Sequence, residues 1–336
     1  MIGVVRSVTH MEWTRMMRGA RTLLDDCASV KAGERVLIVT DTKLIRIGEI
    51  LAAAAYERDT EPVLMVIKPR EMDSQEPPEM VAEAMKLADL ILLPVTKSIT
   101  HTRSAKAALE AGARIIVMTA FTDDMLTGGG IEAEFKAQKP VCEKLAALFT
   151  GANTARLKTA AGTDLTMNIE GRKGNALTCI VDKPGTFSPV PTIEANISPV
   201  EGSSEGRIVA DASIPYIGIG LLREPVSATV KKGIITEIRG GEQAESLRKD
   251  LEKKNDPNVY NVAEMGVGLN PKSKMIGIML EDEAVLGSAH IGIGTNITLG
   301  GKVKAAVHYD LVLWRPTIEL DGKIVMENGN IRFSMN

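Results

Sequence analysis

His308 and Asp310 stand two residues apart, with Val303, Ala305, Ala306 and Val307 before them and Leu311, Val312 and Leu313 after. On a strand, residues i and i+2 point to the same face, so the imidazole and the carboxylate project side by side. An apolar strand that holds both needs a partner cation or a hydrogen-bond network, and divalent metals favour such sets. A strand with two polar residues on its solvent face is the plainer alternative. Glu264 lies in the apolar, Gly-bordered stretch Val262–Gly268, where an acid is costly unless paired or metal-bound. His290, in Gly287–Gly294, has similar surroundings and reads either as a ligand or as a satisfied core histidine. Glu194, between Ile193 and Ala195, is a weak signal by itself, since a turn glutamate is the default there.

These residues need strands to carry them, and the chain provides two styles of strand. An apolar stripe from Trp13 to Cys27 predicts an amphipathic helix over 10–30. Apolar runs at 35–40, 62–67, 90–95 and 114–119 then alternate with helical patterns at 43–57, 78–88 and 102–112. Their lack of strict alternation predicts strands buried on both faces, in a parallel sheet covered by helices. A further helix at 132–149 closes this expected domain. After Gly151 the text turns to strands and turns, at 155–168, 206–214, 228–239 and 302–313, with one helix at 242–254. The expected fold class is an α/β parallel-sheet N-terminal domain, Rossmann-like, over 1–150, followed by a β-rich α+β metal-binding catalytic domain over 151–336.

His101 follows the third parallel strand, and loops at the carboxyl ends of such strands bind ligands in open α/β sheets. Thr100 and Thr102 beside it read as helix N-caps. Gly128–Gly130 and the Gly pairs 266/268 and 292/294 do not form a dinucleotide fingerprint, because none follows a first strand and opens a helix.

Composition narrows the partners. A net charge of −3 and 3% aromatic residues argue against nucleic acid. Three cysteines, odd in number and far apart, read as reduced core thiols of a cytoplasmic protein. The first residues show no cationic start followed by an apolar run, and no run of about eighteen apolar residues appears, so neither a signal peptide nor a membrane span is expected.

Taken together, Glu194 in Pro191–Glu194, Glu264 in Ala263–Pro271, His290 with Ile291, and His308 with Asp310 resemble, in order and spacing, the metal ligands of the aminopeptidase T family. The resemblance covers most of the chain and implies a homodimer or higher homo-oligomer acting on a small molecule or short peptide. It implies two divalent ions (Zn, Mn or Co) held by Glu194, Glu264, His290, His308 and Asp310, with Glu264 or Asp310 bridging. The expected activity is a metal-dependent amide or peptide hydrolase, in which metal-bound water attacks a carbonyl. Glu194 and Glu264 then act catalytically, Glu194 as ligand or general base, and His101 donates a hydrogen bond. Two departures stand out: the chain is short for those peptidases, and Ile297 occupies the place of their tyrosine.

The stretch Asn255–Tyr260, Gly268–Pro271 and Gly300–Lys302 resemble a second branch on the same scaffold, the 2,5-dihydroxypyridine 5,6-dioxygenases. That resemblance implies the alternative function, ring cleavage with one Fe(II) bound by two histidines and an aspartate. Glu264 occupies the place of the first histidine, His308 and Asp310 match the other two ligands, and His101 matches a histidine near the substrate. A non-catalytic scaffold is the third possibility.

Overall fold

The structure is a computed structural model that describes residues 10–335. The expectation about a leader concerns the first residues and lies outside them. The described residues divide into two compact units, one of residues 10–135 with 179–190, the other of residues 136–178 with 191–335.

The first unit is built on a five-stranded parallel sheet in the order Val63–Ile67, Val36–Asp41, Leu90–Leu93, Arg114–Val117, Phe187–Pro189. Its strands form where the apolar runs predict them, with the helices Ile45–Tyr56, Glu79–Leu87 and Arg103–Glu110 between. Leu37, Val39, Ile91, Leu93, Ile115 and Val117 pack one face against Val81, Met85, Ala105 and Ala108. The opposite face takes helix Ile45–Tyr56 so closely that a Cβ on Gly48 would lie 3.1 Å from Thr40 Cγ2. One strand departs from the expected burial. Val63 and Val66 are 53% and 45% exposed, because Val63–Ile67 is the sheet's edge.

The second unit holds two antiparallel sheets, of eight and seven strands. The larger runs from Ile234–Arg239 through Val226–Lys231, Glu205–Ala210, Asp164–Asn168, Thr154–Lys158 and Thr317–Leu320 to Lys323–Glu327 and Asn330–Ile331. The smaller has Gly220–Leu221, Ser213–Ile214, His308–Trp314, Ser288–Gly294, Val262–Gly268, Glu194–Ile197 and Asn175–Leu177 in that order. The fold class is therefore as expected: a parallel α/β region and a β-rich, antiparallel region.

The division of the chain differs from a single cut near residue 150. Helix Phe135–Thr150 belongs almost wholly to the second unit. The reason is local: the Cys142 thiol donates to the Glu194 carbonyl at 3.0 Å, and Gly174 comes so near the helix that a Cβ there would lie 2.2 Å from the Ala146 carbonyl oxygen. Conversely, residues 179–190 return to the first unit to supply its fifth strand. No helix among the described residues is long and apolar enough to cross a membrane.

Candidate metal centre

Register decides which side chains share a face. Across the smaller sheet, Gly268 pairs with Glu194, Gly266 with His290, Gly292 with both Glu264 and Asp310, and Gly294 with His308. Directly opposed residues project to the same side, so all five candidate ligands face one way, each across from a glycine. The glycines are required there. A Cβ on Gly266 would overlap His290 Nε2 at 2.0 Å, and one on Gly292 would stand 2.7 Å from His308 Nε2.

The side chains converge. Among the described residues, two groups bring potential ligand atoms within 4.8 Å of one another: Glu194, Glu264 and His290, and Glu264, His308 and Asp310. Glu264 is common to both. His308 Nε2 lies 2.8 Å from Glu264 Oε2 and 3.3 Å from Asp310 Oδ1, and His290 Nε2 lies 3.6 Å from Glu194 Oε1. His308 Nδ1 is 2.7 Å from the Thr295 carbonyl oxygen. A carbonyl can only accept, so Nδ1 carries a proton and the Nε2 edge is directed at the carboxylates. Without a cation Nε2 donates to Glu264, and once that proton is given up its lone pair faces the same place, the arrangement common to metal-bound histidines. Glu194 is held from behind by Asn196 Nδ2 at 2.7 Å, and Asn196 in turn by Asn175 Nδ2 at 2.9 Å.

Burial makes this cluster electrostatically expensive. Glu194, Glu264, His290 and Asp310 are all at least 96% buried, while the His308 side chain is 26% exposed. Burial pushes Glu264 up to about 7, with the His308 hydrogen bond pulling the other way. Burial opposes charge on His290, yet Glu194 outweighs it and raises the imidazole to about 9. Burial likewise disfavours charge on His308 and on Asp310, and their mutual attraction prevails, raising the first and lowering the second. Two buried atoms, His290 Nδ1 and Asp310 Oδ1, have no hydrogen-bond partner. Orphaned atoms in a site with more carboxylates than imidazoles are what a divalent cation satisfies. The donors fit a first-row metal: imidazole nitrogen and carboxylate oxygen together suit Fe, Mn and Zn. They depart from the two-histidine, one-carboxylate triad at Glu264.

Two residues of this centre have no signal in the sequence reading. Tyr216 donates to Asp310 Oδ2 at 2.5 Å and sits 3.1 Å from Glu283 Oε1. Glu283, pushed well above the usual carboxylate range by burial and by Asp310, follows two other buried acids. Asp282 accepts from the backbone of Ile276 and Gly277, and Glu281 from that of Lys274. A run of three acids reads as a solvated loop; here two staple the loop and the third reaches the centre.

His101 belongs to the other unit. It is exposed, beyond strand Leu90–Leu93, with its ring edge-on to Phe187 at 6.3 Å. Thr102, not Thr100, caps the next helix, accepting from Ala105 N. Ile297 is 49% exposed in the short turn Ile297–Leu299.

Fold and site together define a class: proteins with a parallel α/β unit and a buried carboxylate–imidazole centre on an antiparallel sheet. The particular family follows from the sequence, whose residues 15–333 match the model of the 2,5-dihydroxypyridine 5,6-dioxygenase family; the chain belongs to that family. It is 27% identical over 260 residues to the 2,5-dihydroxypyridine 5,6-dioxygenase of Pseudomonas putida, covering 74% of this chain and 72% of that one. The solved structure of 2,5-dihydroxypyridine dioxygenase from Pseudomonas putida KT2440 superposes with a TM-score of 0.82 at 22% identity, over 96% of this chain and 98% of that one. Wild-type AmpT from Thermus thermophilus shares the fold with a TM-score of 0.70 at 16% identity, over 95% and 99% of the two chains.

The expectation of an amide or peptide hydrolase is thereby overturned, and metallopeptidase and aminopeptidase are not this chain's descriptors. The ligand types pointed to hydrolysis because one scaffold hosts both chemistries, and fold does not fix function. The pair of Zn, Mn or Co ions belonged to that hydrolase expectation.

Proposed function

We propose that the chain is an Fe(II)-dependent dioxygenase that opens the ring of a hydroxylated pyridine of the 2,5-dihydroxypyridine type. Family membership over residues 15–333 supports the reaction class. The observation that carries the site is the triad of Glu264, His308 and Asp310, with the His308 tautomer fixed by Thr295. In this reading those three residues hold one iron. Bound Fe(II) supplies the means of joining oxygen to an electron-rich ring. The protein buries Glu264 and Asp310, presents His308 Nε2 and the two carboxylates in one place, and leaves the more exposed His308 side as the approach. Glu194 and His290, on the same face and outside the triad, form a pair able to hold a proton at His290 Nε2 as the substrate hydroxyl ionises. His101 is retained as a substrate-side residue on the resemblance, and so is a homodimer, which light scattering measures.

The test is oxygen uptake by the full chain, loaded anaerobically with Fe(II), on 2,5-dihydroxypyridine. The expected result is one O₂ consumed per ring opened, both atoms of ¹⁸O₂ appearing in the product, and loss of uptake on chelation. Iron-loaded protein that consumes no oxygen with any dihydroxypyridine isomer would sink the proposal.

A further inference from the structure

The two oxygens of Asp310 are in different situations. Oδ2 receives the Tyr216 hydroxyl at 2.5 Å, whereas Oδ1 has no hydrogen-bond partner and lies 3.3 Å from His308 Nε2. Tyr216 comes from a distant segment, and its phenol is braced on two sides. Its ring packs on Tyr309 with centroids 4.9 Å apart, and the Tyr309 hydroxyl is tied to Asp250 at 2.9 Å. Its hydroxyl is also 3.1 Å from Glu283 Oε1. One phenolic proton cannot serve two carboxylates. The shorter contact assigns that proton to Asp310, so one lone pair of Oδ2 is committed to the phenol while Oδ1 has no such partner. Outer partners of this kind orient the ligands they touch.

We propose that Tyr216 is a positioning residue: its hydroxyl, braced by Tyr309 and Glu283, engages Oδ2 so that Asp310 offers only Oδ1 to the cation beside His308. The inference rests on Asp310 being a ligand, as in the function proposed above. An aspartate offering one oxygen would leave free a position that a two-toothed one would occupy, and ring cleavage needs open positions for substrate and oxygen. A phenol supplied by a loop would thus limit how Asp310 can hold a cation.

Tyr216→Phe removes the hydroxyl and keeps the ring on Tyr309. The full chain and the variant are titrated anaerobically with Co(II), whose visible bands report coordination number, and with Fe(II). The expected result is an affinity lowered about tenfold, with weaker Co(II) bands as Asp310 turns two-toothed, and a thermal midpoint of the metal-free protein close to the parent's. Affinity within twofold together with an unchanged Co(II) spectrum overturns the proposal. Glu283→Gln, which leaves the phenol free to donate, is expected to keep the parental spectrum; if it reproduces the Tyr216→Phe spectrum, the acid rather than the phenol holds Asp310 and the proposal fails. Asp310→Ala separates the two levels. Full metal affinity in that variant removes Asp310 from the ligand set and the proposed function with it, whereas loss there without loss in Tyr216→Phe removes Tyr216 alone.

Discussion

Gly292 and His308 crowd the same face of one sheet: a Cβ on the glycine would stand 2.7 Å from the imidazole Nε2 and 2.9 Å from Glu264 Cβ. A methyl group there occupies the space where three ligands meet. Gly292→Ala should therefore lower metal affinity by at least about tenfold, with an overpacking cost of about 1–3 kcal/mol in stability. Metal analysis after gel filtration, with circular dichroism as the folding control, checks it. Parental metal content in a folded variant would mean that the ligands do not meet where these side chains converge.

Glu264 belongs to both ligand groups. Glu264→Ala should lose metal and turnover together. Glu264→His rebuilds the two-histidine, one-carboxylate set and should retain iron better than the alanine variant. Titration of both with Fe(II) measures the difference; equal affinity of the two would remove residue 264 from the coordination.

Acidity should weaken metal binding. Burial holds Glu264 near 7, so it is half protonated at neutral pH in the metal-free protein. Binding requires the Glu264 carboxylate and a neutral His308, whose imidazole is itself raised, against burial, by Asp310 and Glu264. Affinity should therefore fall by more than about tenfold per pH unit below that point. Calorimetry in buffers of different ionisation enthalpy should detect more proton released at pH 6 than at pH 8.

The stability of the metal-free protein should run the other way. An acid raised from 4.5 to about 7 weakens the fold increasingly as pH rises through that interval. His290, raised from 6.5 to about 9, stabilises fully below 6.5 and loses that contribution as pH rises through 9. Both signs agree, so the thermal midpoint without metal should fall between pH 5 and 9, while saturating metal should flatten or invert the trend.

Outside the centre, Glu201 anchors the turn that follows the Ser288–Gly294 strand. It pairs with Arg172 and accepts from Lys302 N at 2.7 Å and Asn296 Nδ2 at 3.1 Å. Burial opposes its charge, but these donors bring it down to about 2 from 4.5. A depressed acid stabilises above its ordinary value and loses that contribution as pH falls through the lowered one. Glu201→Gln should flatten the acid limb of a thermal-midpoint profile between pH 4.5 and 2, relative to the parent.

The sequence carries the parallel strands clearly, because residues such as Ile38, Leu92 and Ile116 are buried in runs that do not alternate. It does not carry Phe187–Pro189, three residues close behind Pro184 and Gly185 whose strand state comes only from pairing with Arg114–Val117. Within the centre, the spacing of His308 and Asp310 puts both on one face by local geometry alone. That Glu194 and His290 join them depends on cross-strand register, which no local pattern encodes. Tyr216 and Glu283 were invisible for the same reason: each acts across a long sequence separation. His101, singled out from its place after a parallel strand, lies on the first unit, with its ring edge-on to Phe187.

Phe187–Pro189 completes a sheet begun by Val36–Asp41, although residues 136–178 of the other unit lie between in the chain. During synthesis, the open edge at Arg114–Val117 must wait for some seventy further residues before its neighbour leaves the ribosome. The first unit cannot be cut out as a continuous gene fragment ending near residue 135 without leaving that border raw, so its sheet is committed to being made, and engineered, together with the chain that follows.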